Sequence, residues 1–169
     1  MEKTENIIVD LDGTVALERH RRHHILNGWE DYFAHIHLDP VNKSVLEFLH
    51  GFKHSHYIHI FTSRPVKYKD VTLAWLRKHN VPFWSMEMRA EADTHLGDDD
   101  WQTLKSDEDV KLEMLARHRI GPANTMCVLE DRDQMVDFYR RLGYDCWQVH
   151  PQHETYRPDV KAHPGVQNV

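Results

Sequence analysis

The sequence IIVDLDGT, residues 7–14, joins an apolar run to a cluster of polar side chains. The β-branched run Ile7 to Val9 predicts a buried strand in the centre of a sheet. Asp10 and Asp12 follow this run, and Gly13 allows the chain to turn sharply. In open α/β sheets, ligands bind beyond the carboxyl ends of the strands. The stretch therefore predicts both a parallel sheet and the edge of that sheet at which a site lies.

Further short apolar runs alternate with helical patterns along the chain. Strands are predicted at residues 57–61, 83–88, 125–129 and 146–149, and helices at residues 66–79, 107–118 and 134–142. Another helix is predicted to begin near Pro40, with Asp39 as its N-cap. We expect an α/β fold with a doubly wound, Rossmann-like parallel sheet of about five strands, a small insert after strand one and no large cap.

Length and composition favour one domain. The chain has 169 residues, of which 40% are hydrophobic, and we expect a single domain over residues 1–150 and a polar C-terminal tail over residues 151–169. No apolar run approaches the ~20 residues of a membrane span, and no signal peptide is recognisable. Both cysteines, Cys127 and Cys146, fall in predicted strands. This pattern favours a reducing, cytoplasmic location.

Charge and histidine content narrow the class of partner. The 21 basic and 27 acidic residues give a formal charge of -6, which argues against a broad basic surface but not against a local basic pocket. The 15 histidines suggest metal binding at first sight. His20, His23 and His24 have ligand-like spacing, but no cysteine or carboxylate pattern nearby completes a zinc site. We therefore expect the histidines to be peripheral to the chemistry.

Polar residues follow four of the predicted strands. In chain order they are Asp10 and Asp12, then Thr62, Ser63 and Arg64, then Arg89, and finally Glu130, Asp131 and Arg132. Carboxylates, a hydroxyl and guanidinium groups gathered at one edge are costly to desolvate without a ligand or metal. The pattern predicts a site for a phosphate and a divalent cation.

The spacing of Asp10 and Asp12 suggests a mechanism. One carboxylate can attack phosphorus as a nucleophile, and the second can protonate the leaving oxygen and later deprotonate the hydrolytic water. A phosphate dianion needs a hard cation to approach these carboxylates, and Mg²⁺ prefers oxygen ligands of this kind. Asp131 or Glu130 would supply its distal ligand.

These residues resemble the motif set of the haloacid dehalogenase-type phosphatases. The order of DLDGT, Arg21, Thr62-Ser63-Arg64, Met88-Arg89, Asp107-x-x-x-Lys111 and Glu130-Asp131-Arg132 is similar, more narrowly, to the 3'-phosphatase domain of phage-type polynucleotide kinase-phosphatases. The similarity spans residues 6–149, and VLEDRDQMVDFYRRLGYDCWQV, residues 128–149, is its most specific part.

The resemblance implies a role for each matching position. Asp10 would be the phosphorylated nucleophile and Asp12 the general acid and base, with the Asp12 carbonyl on Mg²⁺. Thr62 would hold a phosphate oxygen, and Lys111, supported by Asp107, would neutralise charge between phosphate and nucleophile. Asp131 and Glu130 would complete the metal shell. The remaining matches imply substrate binding and are Arg21, Ser63, Arg64, Arg89 and Arg132.

The chain also departs from the family pattern. Glu130 stands where the family usually has aspartate, and residues 94–104 form an insertion. None of the seven glycines begins the G-x-x-x-x-G-K-[ST] motif of a kinase half, so 5'-kinase activity is expected to lie on another chain or not to exist.

The resulting expectation is a Mg²⁺-dependent phosphomonoesterase that removes 3'-phosphates from DNA or RNA ends through an aspartyl-phosphate. The same chemistry would serve a nucleoside-monophosphate phosphatase, which the negative net charge favours. A non-catalytic module that binds nucleic-acid ends is the third hypothesis, although such a module has no need of Asp12 as an acid and base. The expected partners are a phosphorylated nucleic-acid end or a nucleotide, and no membrane.

Overall fold

The protein contains a five-stranded parallel sheet. The computed structural model describes residue 3 and residues 5–93 and 105–149. Its strands are β1 (Glu5–Val9), β2 (His56–Pro65), β3 (Ser85–Arg89), β4 (Thr125–Glu130) and β5 (Cys146–Gln148). They lie in the order β3-β2-β1-β4-β5, and every pair is parallel. This order confirms the predicted doubly wound sheet with β1 at its centre.

Within the described residues, five α-helices connect the strands. They are α1 (Trp29–Ala34), α2 (Lys43–Phe52), α3 (Lys69–Lys78), α4 (Asp107–His118) and α5 (Asp133–Arg141). The start of α4 follows from its sequence, because the Ser106 hydroxyl accepts a hydrogen bond from the Asp109 N–H at 3.1 Å. The start of α2 was wrongly predicted. Its N-cap is Asn42, and Asp39 lies before the helix with its carboxylate turned into the protein.

The sheet buries a core on each face. Alternate residues of β1 point to opposite sides. Ile7 and Val9 pack with residues of α2 and α3, including Leu49 and Trp75. Ile8 packs on the other face with residues of α4 and α5, including Met114. Helices on both faces explain why the buried part of the central strand, Ile7 to Val9, is apolar on both of its sides.

The insert after β1 is short, as the sequence predicts. It comprises a 3-10 segment at Glu18–Asn27, helix α1, and a 3-10 turn at Ile36–Leu38. Its two ends are joined by hydrogen bonds of 2.8 Å from the Leu17 N–H to the Pro40 carbonyl and from the Asn42 N–H to the Val15 carbonyl. The insert is therefore anchored beside the carboxyl end of β1.

The end of β2 differs from the prediction. Thr62, Ser63 and Arg64 were expected to follow the strand, but they lie within it, and the pairing with β3 is interrupted between Thr62 and Pro65. The predicted loop insertion at residues 94–104 and the predicted tail at residues 151–169 lie outside the described residues. Among the residues described, no helix has the length and apolar composition needed to cross a membrane.

Candidate active site

Asp10 and Lys111 form a buried ion pair at the end of β1. Val9 pairs with Ile60, so Asp10 emerges beside Phe61 of β2. Lys111 projects from α4, is fully buried, and its ammonium group donates hydrogen bonds to Asp10 Oδ1 at 2.5 Å and to the Phe61 carbonyl. Burial and the nearby charge of Glu130 raise the pKa of Asp10 to about 7, against the opposing effect of Lys111.

Three carboxylates meet at this point. Oxygens of Asp10, Glu130 and Asp131 lie within 4.8 Å of one another, and all three residues are buried. Glu130 Oε1 accepts hydrogen bonds from the N–H groups of Asp131 and Arg132 at 3.2 and 3.1 Å. Glu130 Oε2 is buried with no hydrogen-bond partner among the described residues. Burial raises the pKa of Glu130, so a cation here would relieve a real electrostatic cost.

Gly13 leaves the space that Asp131 occupies. Its φ is +90°, and a Cβ at this position would lie 2.3 Å from Asp131 Oδ2. The glycine is thus required both for the backbone conformation and for the close approach of the carboxylate. This is the physical reason for glycine in the DLDGT segment.

Asp12 does not join the three carboxylates through its side chain. Arg64 donates hydrogen bonds to both Asp12 oxygens, each at 2.8 Å, and Arg21 donates another to Oδ1. Although burial acts to raise the pKa of Asp12, the two guanidinium groups hold it well below its usual range. Both arginines are fully buried, whereas the Asp12 side chain is 21% exposed. The arginines therefore lie behind Asp12 and fix its position.

Asp39 completes this arrangement and was missed as a site residue. Its carboxylate accepts two hydrogen bonds from Arg21, at 2.7 and 2.8 Å, and one from Arg64 at 3.0 Å. Its carbonyl accepts a hydrogen bond from Trp75 Nε1 at 2.7 Å. In the sequence, Asp39 before proline has the pattern of an N-cap, and no local signal indicates burial with two arginines.

The network continues into the insert. The Arg21 guanidinium lies 4.1 Å from the ring centroid of Tyr32. The Tyr32 hydroxyl donates a hydrogen bond to Glu18 at 2.7 Å, and Arg22 also donates to Glu18. Tyr32 thus packs against Arg21 and Glu18 inside the insert.

Asp107 holds two other arginines. Its carboxylate accepts a hydrogen bond from Arg89 and lies 2.6 Å from the guanidinium group of Arg132. Arg89 also donates a hydrogen bond to the Lys105 carbonyl at 2.7 Å. Burial acts to raise the pKa of Asp107, but Arg132 and Arg89 hold it well below its usual range. The sequence predicts that Asp107 orients Lys111. In the structure, the Asp107 carboxylate contacts Arg89, Arg132 and the side chain of Ser63.

The hydroxyl residues of β2 lie between these groups. Thr62 is fully buried, and its Oγ1 accepts a hydrogen bond from the Arg64 N–H at 3.1 Å. The hydroxyl proton of Thr62 is consequently available for an acceptor at the site. Ser63 is half-buried and follows directly.

Exposure separates the rim of the site from its interior. Side chains of Asp12, Asp107 and Arg132 are 21%, 24% and 22% exposed. Lys111, Arg21 and Arg64 are fully buried, and Arg89 is nearly so. Asp12, Asp107 and Arg132 therefore form the rim of the site, where a ligand from solvent can reach it.

Comparisons with known proteins bear on the family and the fold of this chain. A family model described as the polynucleotide kinase PNKP phosphatase domain matches residues 4–153. Two solved structures of Pnkp1/Rnl/Hen1 complexes, one described as an RNA repair complex, contain chains that are 23% and 27% identical, each with a TM-score of 0.67. Each match covers 88% of this chain but only 44% and 46% of those chains, so this chain spans less than half their length.

A more distant match shows the same fold in another hydrolase. The HAD-hydrolase YfnB from Bacillus subtilis, in a structure bound to magnesium, is 9% identical with a TM-score of 0.62. The match covers 90% of this chain and 92% of that chain. At this identity the likeness concerns the α/β fold alone.

Proposed function

Because this chain belongs to the polynucleotide kinase PNKP phosphatase domain family, a phosphatase family of the haloacid dehalogenase type, we propose that it removes 3'-phosphates from DNA or RNA ends through a phosphorylated Asp10. The observation that carries the proposal is the buried Asp10–Lys111 pair beside Glu130 and Asp131. A nucleophilic carboxylate, a cation next to it and two further carboxylates are the groups that phosphoryl transfer to an aspartate requires.

In the first half-reaction, an oxygen of Asp10 attacks phosphorus and the bond from phosphorus to the leaving oxygen breaks. Asp12 gives its proton to that oxygen. In the second half-reaction, water attacks the aspartyl-phosphate, Asp12 accepts the proton of the water, and Asp10 is released with inorganic phosphate. Asp10 gains and then loses the phosphoryl group, and Asp12 gives up and then regains one proton, so both carboxylates return to their starting state.

The environment of Asp12 sets its protonation state. Arg21 and Arg64 keep the carboxylate ionised, which is the form that accepts a proton from water, and the lowered pKa also makes it a weaker base. Proton donation in the first half-reaction requires Asp12 to take up a proton as the substrate enters. A phosphate dianion approaching the 21% exposed carboxylate favours that uptake, since like charge raises a carboxylate pKa.

The carboxylates fit Mg²⁺. Asp10, Glu130 and Asp131 offer hard oxygen ligands, one of which, Glu130 Oε2, has no hydrogen-bond partner within the described part of the chain. We propose these three side chains and the Asp12 carbonyl as ligands. When bound, Mg²⁺ would offset the negative charge that Asp10 and the phosphate bring together.

The basic residues divide into two roles. Lys111 lies next to the nucleophile Asp10, and Arg132 lies at the rim of the site. We propose these two residues and Thr62 as phosphate ligands. Ser63 and Arg89 are proposed to bind substrate beside them. Arg21 and Arg64 lie behind Asp12 with no exposed surface. We propose them as positioning residues, which changes the substrate-binding role that the resemblance implies.

The short insert supports a large substrate. Only one short helix and two 3-10 segments cover the region between β1 and α2. A nucleic-acid end can therefore reach the rim without displacing a cap domain. The presence of similar chains in Pnkp1/Rnl/Hen1 complexes, including an RNA repair complex, favours polynucleotide ends over free nucleotides. The two cysteines are free and buried, which agrees with action in the cytoplasm.

A substrate panel tests the proposal. Phosphate release would be measured with Mg²⁺ on 3'-phosphorylated DNA and RNA oligonucleotides, 3'- and 5'-mononucleotides and a small aryl phosphate. We expect the highest kcat/KM on a 3'-phosphorylated oligonucleotide, no turnover by Asp10→Asn, and wild-type turnover by Asp137→Asn, which alters an exposed aspartate of α5.

Each other hypothesis has a distinct outcome. A higher kcat/KM on mononucleotides identifies a nucleotide phosphatase. Tight oligonucleotide binding without turnover by any divalent metal identifies a binding module. Undiminished release by Asp10→Asn excludes the aspartyl-phosphate mechanism.

A further inference from the structure

The insert contains a second group of metal-ligating side chains, which we name the histidine cluster: His24, Asp31 and His35. One potential ligand atom from each lies within 4.8 Å of the other two. His24 belongs to the 3-10 segment, Asp31 to α1, and His35 directly follows α1. Because their side chains are 21%, 33% and 31% exposed, a solvated ion can reach all three.

Asp31 is the centre of the cluster. His24 Nδ1 lies 2.7 Å from Asp31 Oδ2, and His35 Nδ1 lies 3.8 Å from Asp31 Oδ1. The two imidazole rings are stacked, with centroids 3.9 Å apart and planes within 15° of parallel. Two ring nitrogens thus lie close to one carboxylate.

These distances suit a tetrahedral transition metal. Zinc bonds of about 2.0–2.1 Å to nitrogen and oxygen place neighbouring ligand atoms about 3.3 Å apart. The two nitrogen-to-oxygen distances, 2.7 and 3.8 Å, lie on either side of that value. Binding requires one ring to rotate, since the lone pairs of nearly parallel rings do not converge.

The ion-free hydrogen bonds define the tautomers. A carboxylate and a carbonyl oxygen can only accept, so His24 Nδ1 donates to Asp31 Oδ2 and His35 Nδ1 donates to the Asp31 carbonyl, at 2.7 and 2.8 Å. A metal on both Nδ1 atoms would displace these protons and leave each neutral ring protonated on Nε2. His23 is exposed beside His24, with ring centroids 4.1 Å apart, and can supply a fourth ligand.

We propose that the histidine cluster is a binding site for a borderline divalent transition metal of the Zn²⁺ class, separate from the carboxylate site that is proposed for Mg²⁺. Imidazole nitrogens favour such a metal over a hard cation. The sequence spacing points to His20, His23 and His24 as candidate ligands. It misses Asp31 and His35, because only the fold of the insert brings these two residues next to His24. The bound ion would join the 3-10 segment that carries Arg21 to helix α1.

Zinc titration of the full chain tests this proposal. After treatment with a chelator and desalting, Zn²⁺ binding would be followed by calorimetry with Mg²⁺ in excess, so that the carboxylate site is saturated. We expect one-to-one binding that is at least about tenfold weaker in His24→Ala and in His35→Ala. His37→Ala provides the matched control, since it removes an exposed histidine two residues beyond the cluster, and we expect no change in affinity.

Two-bond proton-nitrogen NMR of the imidazole rings supplies a readout on the unaltered chain. We expect His24 and His35 to change from the Nδ1–H to the Nε2–H tautomer when Zn²⁺ is added. Unchanged tautomers in both rings overturn the proposal. Equal weakening by His37→Ala also overturns it, because that result indicates diffuse binding to the surface histidines.

Discussion

The carboxylate of Asp39 accepts two hydrogen bonds from the guanidinium group of Arg21, at 2.7 and 2.8 Å, and both side chains are fully buried. Arg64 joins them through a third hydrogen bond. Arg21 and Arg64 also hold the Asp12 carboxylate, so their hydrogen bonds to Asp39 help to fix the position of Asp12.

We therefore expect Asp39→Asn to affect both stability and activity. Loss of one partner of a buried ion pair leaves uncompensated charge and costs about 3–5 kcal/mol. Urea unfolding would measure this loss, and kcat would fall because the arginines no longer fix Asp12. Asp70→Asn alters an exposed residue and should change the free energy of unfolding by no more than about 0.5 kcal/mol. Equal, small effects of both variants would contradict this view.

Gly13→Ala should disrupt the carboxylate cluster. The new methyl group would lie 2.3 Å from Asp131 Oδ2, and alanine would be strained at a φ of +90°. Gly28→Ala is the matched control, since its φ is +109° but nothing lies within 4 Å of the added Cβ. We expect both variants to lose about 1–2 kcal/mol of stability from backbone strain. Only Gly13→Ala should also raise the Mg²⁺ concentration needed for half-maximal activity, and a similar rise in Gly28→Ala would refute the steric explanation.

Glu130→Gln should weaken Mg²⁺ binding. Glu130 Oε2 is buried with no hydrogen-bond partner among the residues described, so its charge is available to a cation. Loss of a charged group in or next to a metal shell commonly lowers affinity by about 10–100-fold. A Mg²⁺ titration of activity would measure the change, with Glu47→Gln on the exposed face of α2 as the control. Wild-type Mg²⁺ dependence in Glu130→Gln would remove this residue from the metal site.

His59 should make the fold sensitive to acid. Burial and the neighbouring His118 lower the pKa of His59 to about 4, from a usual value of 6.5. The neutral ring is held by Ser85 and Asn6, at 2.7 and 2.9 Å. Below pH 6.5 the unfolded chain binds a proton that the folded chain does not, so stability is full above that pH and falls toward pH 4.

The expected contribution of His59 over this range is about 2–3 kcal/mol. Urea unfolding of the wild type and of His59→Gln would be measured at a series of pH values. The contribution of His59 is the difference between the two proteins in the free energy of unfolding that is lost on acidification. Parallel losses in the two proteins would show that other groups cause the acid sensitivity.

Cys127 and Cys146 should be inert in the folded protein. Both are buried and free, and burial raises the pKa of each thiol to about 12. A thiol reagent at pH 7 needs the thiolate, so native protein should react only as fast as it opens. Denaturant should release two reactive thiols at once. Rapid labelling of the native protein would contradict the burial of these strands.

The sequence predicts those parts of the molecule whose signals are local. Apolar runs and turn residues locate the five strands, and helical spacing locates α4. Asp10 is found from its place at the end of a predicted strand, whereas Lys111, which lies 101 residues away, is found from the family resemblance. Residues such as Asp10 are predictable because the parallel topology brings all strand ends to one edge.

Other residues depend on tertiary packing and were not predictable. Asp39 has the local pattern of an N-cap, but burial with two arginines outweighs the weak capping preference. His35 and Asp31 join His24 only through the path of the insert. The boundary of β2 was placed too early because polar Thr62, Ser63 and Arg64 remain in a strand whose end faces the site.

The active site contains nearly equal numbers of acidic and basic groups, and this balance affects how a charged substrate approaches the protein. Six carboxylates (Asp10, Asp12, Asp39, Asp107, Glu130, Asp131) lie among five basic groups (Arg21, Arg64, Arg89, Arg132, Lys111), so the chain's formal charge of -6 lies almost wholly elsewhere. Paired charges act only at short range, whereas the remaining surface charge acts over a Debye length of about 10 Å at 0.1 M salt. The polynucleotide proposed as substrate would thus be repelled at a distance and bound on contact, so moderate salt should speed its arrival rather than slow it.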